Sequence, residues 1–124
     1  MADEITASIV LSFAKGSKKA EMKSGSISID MTGDDYMLQT QVIDSSQELI
    51  VISSDIGAAN KGWFFARNLG VTDTISIRAG TGLEDTIDMD PGEPCCFRVH
   101  PGATLYAISS GSEPPTMEYL LIEN

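Results

Sequence analysis

The sequence is poor in the residues that perform catalysis. Among 124 residues it has one histidine, two cysteines and one tryptophan, and only 6% of its residues are aromatic. A single histidine with no G-x-S-x-G sequence argues against a serine–histidine–aspartate hydrolase. The glycine-rich phosphate-binding motifs of nucleotide-dependent enzymes are also missing. We therefore expect a non-enzymatic protein with no catalytic residues, no bound metal and no cofactor.

Long apolar runs are missing as well. No run approaches the roughly 18 residues that a membrane-spanning helix requires, and the N-terminus lacks the basic and apolar regions of a secretory signal. We therefore expect a soluble chain that is not secreted by a recognisable signal and does not associate with membranes. With 42% hydrophobic residues, a chain of this length can form the core of one domain without disulfides or metal.

Cations are scarce beyond the first part of the chain. Residues 1–23 hold four lysines and three acids, a net charge of +1, whereas residues 24–124 hold four cations and fifteen acids, a net charge of −11. An acidic body repels phosphates, so we expect no direct binding to nucleic acid. The basic stretch KGSKK at residues 15–19 either docks on an acidic partner or is a solvated loop tip.

Apolar and polar residues alternate with a period of two along much of the chain. This pattern predicts half-buried antiparallel strands at residues 5–13, 26–31 and 74–79. The more continuous apolar runs at 48–53 and 62–67 predict strands near the middle of a sandwich.

Turn-forming residues separate these segments every eight to twelve residues, which is typical of an all-β protein. The sequence therefore predicts a single jelly-roll-like antiparallel β-sandwich of about eight to ten strands over residues 1–124. Residues 2–25 are a possible N-terminal arm or first hairpin. Within them, KSGS at residues 23–26 either bends the first hairpin or hinges a mobile arm.

Both cysteines and the histidine lie between residues 88 and 102. Two Pro-Gly turns flank this segment, so it reads as a strand with Cys95 and Phe97 on one face and Cys96 and His100 on the other. Adjacent thiols that point in opposite directions do not readily bind one zinc ion. Cys96 and His100 are separated by roughly 13 Å at the rise of a strand, too far for a nucleophile and its base. We expect Cys95 to be a buried hydrophobic residue and Cys96 a free, partly exposed thiol.

Acids are concentrated at residues 84–93. Hard cations prefer such oxygen-rich segments, but the spacing does not match the calcium-binding EF-hand loop. The segment therefore reads as a solvated acidic edge that discourages pairing between sheets. The sequence leaves open whether it binds a cation.

The second half of the chain carries a series of short motifs in order. An aromatic strand ends in N-L-G-V-T within residues 65–72, and an I-x-I sequence follows at 75–77. A Pro-Gly turn with a following F-R occupies 89–98, P-G-A-T-L-Y-A occupies 101–107, and E-Y-L-L-I-E closes the series at 118–123.

This series resembles the frame of capsid decoration (cement) proteins, which are small β-sandwich virion structural proteins of tailed bacteriophages. Residues 2–16 and 24–33 are similar to the opening strands of that family, so the resemblance covers most of the chain, and residues 65–123 carry its specific motifs. The Cys95–Cys96 pair departs from the frame, where aliphatic residues are expected, which indicates a packing role.

The resemblance implies a function at the capsid surface of a virion that assembles in the host cytoplasm. The protein would bind the major capsid protein of the assembled head at capsomer junctions and stabilise the shell. It would act as a small homo-oligomer, with a trimer favoured. Candidate partner-binding residues lie in the N-terminal segment: Ile5, Ile9, Leu11, Lys15, Lys18, Lys19 and Lys23.

Two alternative functions share the predicted fold. One is a tail, collar or head-fibre-base structural protein, which the sequence does not separate from a decoration protein. The other is a carbohydrate-binding β-sandwich module that stacks a sugar on Trp63. A flat, exposed Trp63 ring would support sugar binding, whereas a ring packed among Phe64, Phe65 and other neighbours would belong to the core.

Overall fold

The computed structural model describes residues 4–31, 33–57, 59–79 and 84–123. These residues form ten strands and no helix, and so include no helix that could span a membrane. The strands are β1 (Ile5–Lys15), β2 (Lys18–Ile29), β3 (Tyr36–Val42), β4 (Glu48–Leu49), β5 (Lys61–Asn68), β6 (Ile75–Ala79), β7 (Ile87–Met89), β8 (Pro94–Arg98), β9 (Leu105–Ser109) and β10 (Thr116–Glu123).

The chain divides into two compact units, Met1–Thr32 and Gly33–Asn124. The first unit contains β1 and β2, which pair as a two-stranded antiparallel sheet. The second unit contains the other eight strands in two antiparallel sheets, with orders β3-β10-β5-β8 and β4-β9-β6-β7. The predicted antiparallel β-sandwich is therefore confirmed for residues 33–123, outside the undescribed positions.

The eight sandwich strands pair in a nested order. The first pairs with the last, the second with the next to last, and so inward: β3 with β10, β4 with β9, β5 with β8 and β6 with β7. The first and third of these pairs lie in one sheet and the second and fourth in the other. This part of the chain therefore follows the path of one long hairpin folded into two layers.

Side chains from both sheets form one hydrophobic core. Phe64 of β5 packs at the centre, with its ring centroid 5.3 Å from that of Phe97 and 5.8 Å from that of Tyr119. Each large apolar side chain that is fully buried contributes about 1.5–3 kcal/mol to stability. The buried cluster comprises Ile43, Ile50, Ile56, Phe64, Ala66, Ile75, Ile77, Met89, Val99, Leu105, Ala107, Met117, Tyr119 and Leu121.

One of the two strands that were predicted near the middle of the sandwich differs from the expectation. The segment 62–67 lies in β5, an interior strand, as predicted. The segment 48–53 was expected near the middle of the sandwich, but only Glu48–Leu49 forms a strand, and that strand lies at a sheet edge. Beyond Leu49 the chain makes one more hydrogen bond to β9, from the N–H of Ile50 to the carbonyl of Leu105 at 3.0 Å, and the N–H of Val51 donates to the Gln41 side chain at 2.9 Å.

Candidate assembly interface

The N-terminal unit is a long β-hairpin with a tight turn. Its two-residue loop, Gly16–Ser17, joins the paired residues Lys15 and Lys18. Gly16 has a φ of 61°, and among the described residues only glycines have positive φ. Positive φ at the first loop position alone is the signature of a type II′ turn, whose twist matches that of the flanking strands. The KGSKK stretch thus forms the hairpin tip.

A β-bulge interrupts the pairing midway along the hairpin. Two residues of β2, Ser24 and Gly25, lie opposite the single residue Ile9 of β1. The N–H of Ile9 donates to the Ser24 Oγ at 2.9 Å, and Gly25 has a φ of 70°, which glycine adopts without steric cost. Of the two interpretations of KSGS, the bend within the first hairpin is the one observed.

The bulge determines which side chains share a face of the hairpin. The apolar residues of β2 occupy odd positions near its end (Ile27 and Ile29) and even positions near the tip (Ala20 and Met22). One extra residue between them reverses the alternation, so both pairs lie on the same face. We call this surface the hairpin face. It comprises Ile5, Ala7, Ile9, Leu11, Phe13, Ala20, Met22, Ile27 and Ile29.

The hairpin face is exposed over most of its length. Ile5 is only 6% exposed, but Leu11 is 76%, Phe13 56% and Met22 80% exposed. The strand predicted at residues 5–13 is confirmed, whereas its predicted half-burial is wrong beyond Ala7, because two strands alone have no second layer to cover them. Of the candidate apolar residues, Ile9 and Leu11 are available to a partner and Ile5 is not.

The four candidate lysines are exposed around the tip. Lys15 and Lys18 flank the loop on the side of the hairpin face, whereas Lys19 and Lys23 point to the opposite side. Lys23 lies 3.1 Å from Glu21, but both side chains are more than half exposed, so this ion pair adds little stability. Residues 15–23 carry four lysines and one glutamate, a net charge of +3, while residues 33–124 carry four cations and fourteen acids, a net charge of −10.

A second apolar surface lies on the outside of the β3-β10-β5-β8 sheet. Leu38 is paired with Leu120, Leu120 with Phe65, and Phe65 with Cys96, so one row crosses all four strands. Leu38 is 64% exposed. We call this surface the sheet face. Its apolar members are Tyr36, Leu38, Val42, Trp63, Phe65, Cys96, Leu120 and Ile122, and the exposed residues Thr40, Arg67, Arg98 and Glu118 share the same side.

β3 departs from the usual distribution of residues on an antiparallel sheet with one solvated side, which is apolar inside and polar outside. In β3, Leu38 and Val42 point outward, while Gln39 and Gln41 lie on the opposite side of the strand and hydrogen-bond to the hydroxyl of Tyr119. Sequence reasoning missed this surface, although the apolar alternation at residues 36, 38 and 42 was a signal for it.

The outer face of the β4-β9-β6-β7 sheet is more polar than the sheet face. The Ser76 hydroxyl donates to Asp88 at 2.7 Å, and the Arg78 guanidinium pairs with Asp85. Tyr106 and Ile108 are partly exposed on the same face. The two outer faces of the sandwich therefore differ, and the larger apolar surface is the sheet face.

Trp63 does not offer a flat, exposed ring. The residue is only partly exposed, and its indole Nε1 is buried with no hydrogen-bond partner. In β5 it is paired with Arg98 of β8. A ring that is partly covered in this way provides a poor platform for stacking a sugar.

The cysteines occupy the predicted positions on β8. Cys95 packs against the core and Cys96 is exposed, and both are free thiols. Burial is the main cause that raises the pKa of the Cys95 thiol to about 11, and partial burial also raises the pKa of Cys96. His100 is exposed beyond the end of the strand. These residues form no thiolate–imidazole pair.

The acids of the segment 84–93 have separate partners. Asp85 accepts from Arg78, Asp88 from Ser76, Asp90 from Thr74, and Glu93 from the N–H of Asp90. Each of these four carboxylates thus accepts a local hydrogen bond. Residues 80–83 lie outside the described part of the chain.

Asp34 and Asp35 form an acidic cluster with Glu123 of the C-terminal strand, which sequence reasoning did not identify. Glu123 is 7% exposed, and its carboxylate accepts the N–H groups of Asp34 and Asp35 at 3.1 and 3.2 Å. Partial desolvation, followed by the neighbouring charges of Asp34, Glu123 and Asp55, raises the pKa of Asp35. The three carboxylates approach each other closely enough to hold a cation, but the Glu123 oxygens already bind protein donors. The cluster ties the start of β3 to the end of β10.

Comparisons with protein-family models, with curated protein sequences and with solved structures found no match to this chain. The functional interpretation therefore depends on the surfaces described above and on the motif series of the second half.

Proposed function

We propose that this protein is a non-enzymatic virion structural protein of a tailed bacteriophage, a capsid decoration (cement) protein. In this role it binds the assembled head at capsomer junctions, through contacts with the major capsid protein. The observation that carries the proposal is the hairpin face, an exposed apolar surface next to a basic tip.

The hairpin face supports a role in binding because a two-stranded hairpin is only marginally stable alone in water. Exposed apolar patches of this kind mark interaction surfaces. Covering Leu11, Phe13 and Met22 would each contribute roughly 1.5–3 kcal/mol, against an association cost of about 4–15 kcal/mol. One such contact does not offset the cost of association, so binding requires that several of these side chains be covered together. A large assembled surface, such as a phage head, can cover them together.

The nested strand order supports the proposed jelly-roll fold. Eight strands that pair first with last, second with next to last, and so on across two sheets have the arrangement of a jelly roll, which occurs in viral capsid proteins. The fold alone does not specify a function. Together with the motif series at residues 65–123, it supports a structural role in a virion.

The proposed mechanism is mass action. A protein that binds only the assembled shell stabilises the shell, by about 2.7 kcal/mol for each site when its free concentration is 100 times the dissociation constant. The expected result is a head that resists internal DNA pressure better with the protein than without it.

The test is cosedimentation with empty heads of a tailed phage from which the resident decoration protein has been removed. The wild-type chain should pellet with heads, should raise the temperature at which heads rupture, and should not bind dissociated capsid subunits. The double variant Leu11→Glu/Met22→Glu should lose head binding. Ser12→Glu/Ser26→Glu is the matched control, because it adds the same charge to the opposite side of the hairpin, and it should bind like the wild type.

Other outcomes would contradict the proposal. A wild-type chain that ignores heads but pellets with tails or collars would favour the alternative structural role. A chain that binds neither, and instead binds immobilised polysaccharide through Trp63, would favour the carbohydrate-binding alternative. Full head binding by the Leu11→Glu/Met22→Glu variant would show that the hairpin face is not required.

A further inference from the structure

We propose that the free edge of β3 is a second binding site, which accepts an extended strand of a partner polypeptide as a further strand of the sheet. The strand that fits this site has apolar residues along one side and a basic residue at each end. The site differs from the hairpin face in position and in chemistry, and the inference does not depend on the phage assignment.

Half of the backbone polar groups of β3 point away from β10, the only strand with which it pairs. At one end of this pair the N–H of Glu123 donates to the carbonyl of Asp35 at 2.9 Å. At the other end the N–H of Ile43 donates to the carbonyl of Pro115 at 2.9 Å. Hydrogen-bonded pairs alternate along an antiparallel ladder, so the odd-numbered residues face β10. The even-numbered residues direct their N–H and C=O groups outward and form what we call the β3 edge: Tyr36, Leu38, Thr40 and Val42.

The β3 edge lacks the features that protect a sheet edge from pairing, which are shortness, charge, proline and bulges. β3 has seven residues, none of them charged and none a proline, and its register with β10 is unbroken. The other edge strand of the same sheet, β8, begins with Pro94 and ends with Arg98. The edge strands of the second sheet, β4 and β7, have only two and three residues. Within the described residues of the sandwich, β3 is therefore the edge that is open to a further strand.

The side chains along the β3 edge determine the apolar side of the partner strand. Leu38 is 64% exposed and lies in a row with Leu120 and Phe65. A strand added beside β3 would extend this row by one residue, and cross-strand contact with Leu38 favours an apolar side chain there. The inward side chain of Gln41 is already bound to Leu49 and Val51, so the open groups of β3 are those of its backbone.

Acids at both ends of the β3 edge select a basic partner. Asp34 and Asp35 precede β3 and Asp44 follows it, and Glu118 of β10 is paired with Thr40 in its middle. The cations of this sheet all lie on β5 and β8, at least two strands away, or roughly 10 Å at about 4.8 Å per strand. A cation beyond each end of the partner strand would therefore meet opposite charge. Two β3 edges paired with each other would place acids beside acids, so the occupant is a different polypeptide.

The test measures binding of a labelled peptide to the full-length chain by fluorescence anisotropy. The probe alternates four valines with three threonines between two terminal lysines, so that each valine lies opposite one residue of the β3 edge. One control peptide has glutamates in place of the lysines, and another is N-methylated at its valines and so lacks the N–H groups that would bond to β3. The lysine probe should bind, and each control should bind at least about tenfold more weakly.

Two variants of the protein locate the site. Thr40→Pro removes an N–H that faces the free edge, without breaking the ladder to β10, and should weaken binding of the lysine probe at least about tenfold. Thr40→Ala keeps this N–H and should bind like the wild type, and thermal unfolding verifies that both variants fold. Asp34→Asn/Asp44→Asn leaves the backbone unchanged and should reduce the preference for lysine over glutamate ends.

Amide hydrogen exchange gives the readout for single residues. The lysine probe should slow exchange at Leu38 and Thr40 and leave Gln39, which already bonds to β10, unchanged. Three results would overturn the inference: no binding of the lysine probe, binding without protection of Leu38 and Thr40, or protection of these amides in the free chain that rises with its concentration. The last result would show that a second copy occupies the edge. No phage heads are used, so a negative result would refute only this inference.

Discussion

At the scale of single residues, Asn68 shows how one buried amide connects several loops of the sandwich. Its side chain is fully buried, and its Nδ2 group donates to the carbonyls of Asp73 and Met89, both at 2.9 Å. Its Oδ1 accepts the N–H of Gly70 at 2.8 Å. A side chain at Gly70 would collide with Pro115. The N-L-G motif thus has a structural explanation, because only an amide satisfies two carbonyls and one N–H in this position.

Replacing Asn68 with aspartate should destabilise the sandwich in a pH-dependent way. The variant has nearly the same shape but would direct a carboxylate oxygen at two carbonyl oxygens, so we expect a loss of about 3 kcal/mol or more at pH 7. Burial near acceptors should raise the folded-state pKa of the new carboxyl above its unfolded value. The penalty is then fully present above the folded pKa and declines as the pH falls towards the unfolded value of about 4.

The measurement is the free energy of unfolding in denaturant at pH 7 and near pH 3.5. Asn68→Ala is the comparison, because it leaves the same carbonyls without donors but introduces no titrating group. The difference in the free energy of unfolding between Asn68→Asp and Asn68→Ala should be smaller near pH 3.5 than at pH 7. The same difference at both pH values would contradict the assigned hydrogen bonds.

At the scale of secondary-structure elements, the bulge in β2 makes the hairpin amphipathic. Alternation along a strand repeats every two residues, so one inserted residue moves all following side chains to the other face. In β2 the apolar residues change from even positions, ending at Met22, to odd positions, starting at Ile27. The extra residue at Ser24–Gly25 brings both sets to the same face. A bulge that joins two apolar halves into one exposed surface is a feature that the proposed binding role would require.

Deleting Gly25 should leave both the hairpin face and the sandwich intact. The deletion removes the extra residue and the change of parity together, so a regular ladder would place Ser24 opposite Ile9 and keep Met22 opposite Leu11. Thermal unfolding of the sandwich should be unchanged, and binding to heads, measured by cosedimentation, should remain close to that of the wild type.

Gly25→Ala is the control for this deletion. It keeps the extra residue, and its added Cβ would meet no atom within 4 Å, although positive φ costs about 1–2 kcal/mol for a residue with a side chain. The substitution should retain most of the binding to heads. Loss of head binding in the deletion variant, with the sandwich still folded, would show that the bulge itself is required and not only the shared face.

At the scale of the whole molecule, the fold places two adjacent thiols in different surroundings. Cys96 lies on the sheet face, in the row with Phe65 and Leu120, whereas Cys95 packs against the core. Solvent therefore reaches Cys96 more easily than Cys95.

A thiol-specific reagent should separate these two cases. Cys96 should react and Cys95 should not, because a pKa of about 11 leaves only about one thiolate of Cys95 in 10,000 at pH 7. Cys96→Ser should abolish the fast reaction and so identify its source. A fast reaction that survives this substitution would contradict the burial of Cys95.

The sequence by itself determined the local features, because the side-chain period of a strand and the conformational limits of glycine and proline act within a few residues. The β-sandwich, the tight turns, the opposite orientations of Cys95 and Cys96, and the buried Ile75 and Ile77 were all predictable in this way. The pattern also indicated that residues 5–13 form a strand and that the lysines lie at a tip.

Only the tertiary structure decided what covers each face. Alternation marks Leu11 and Ile75 alike as residues of an apolar face, but Ile75 has a second sheet above it and Leu11 has none. The burial of Glu123 depends on Asp34, a residue 89 positions away, and the sheet face exists because the last strand, β10, lies between β3 and β5. Such contacts join distant segments, so no local pattern specifies them. They follow from the strand order, and the strand order is chosen by the packing of the entire core.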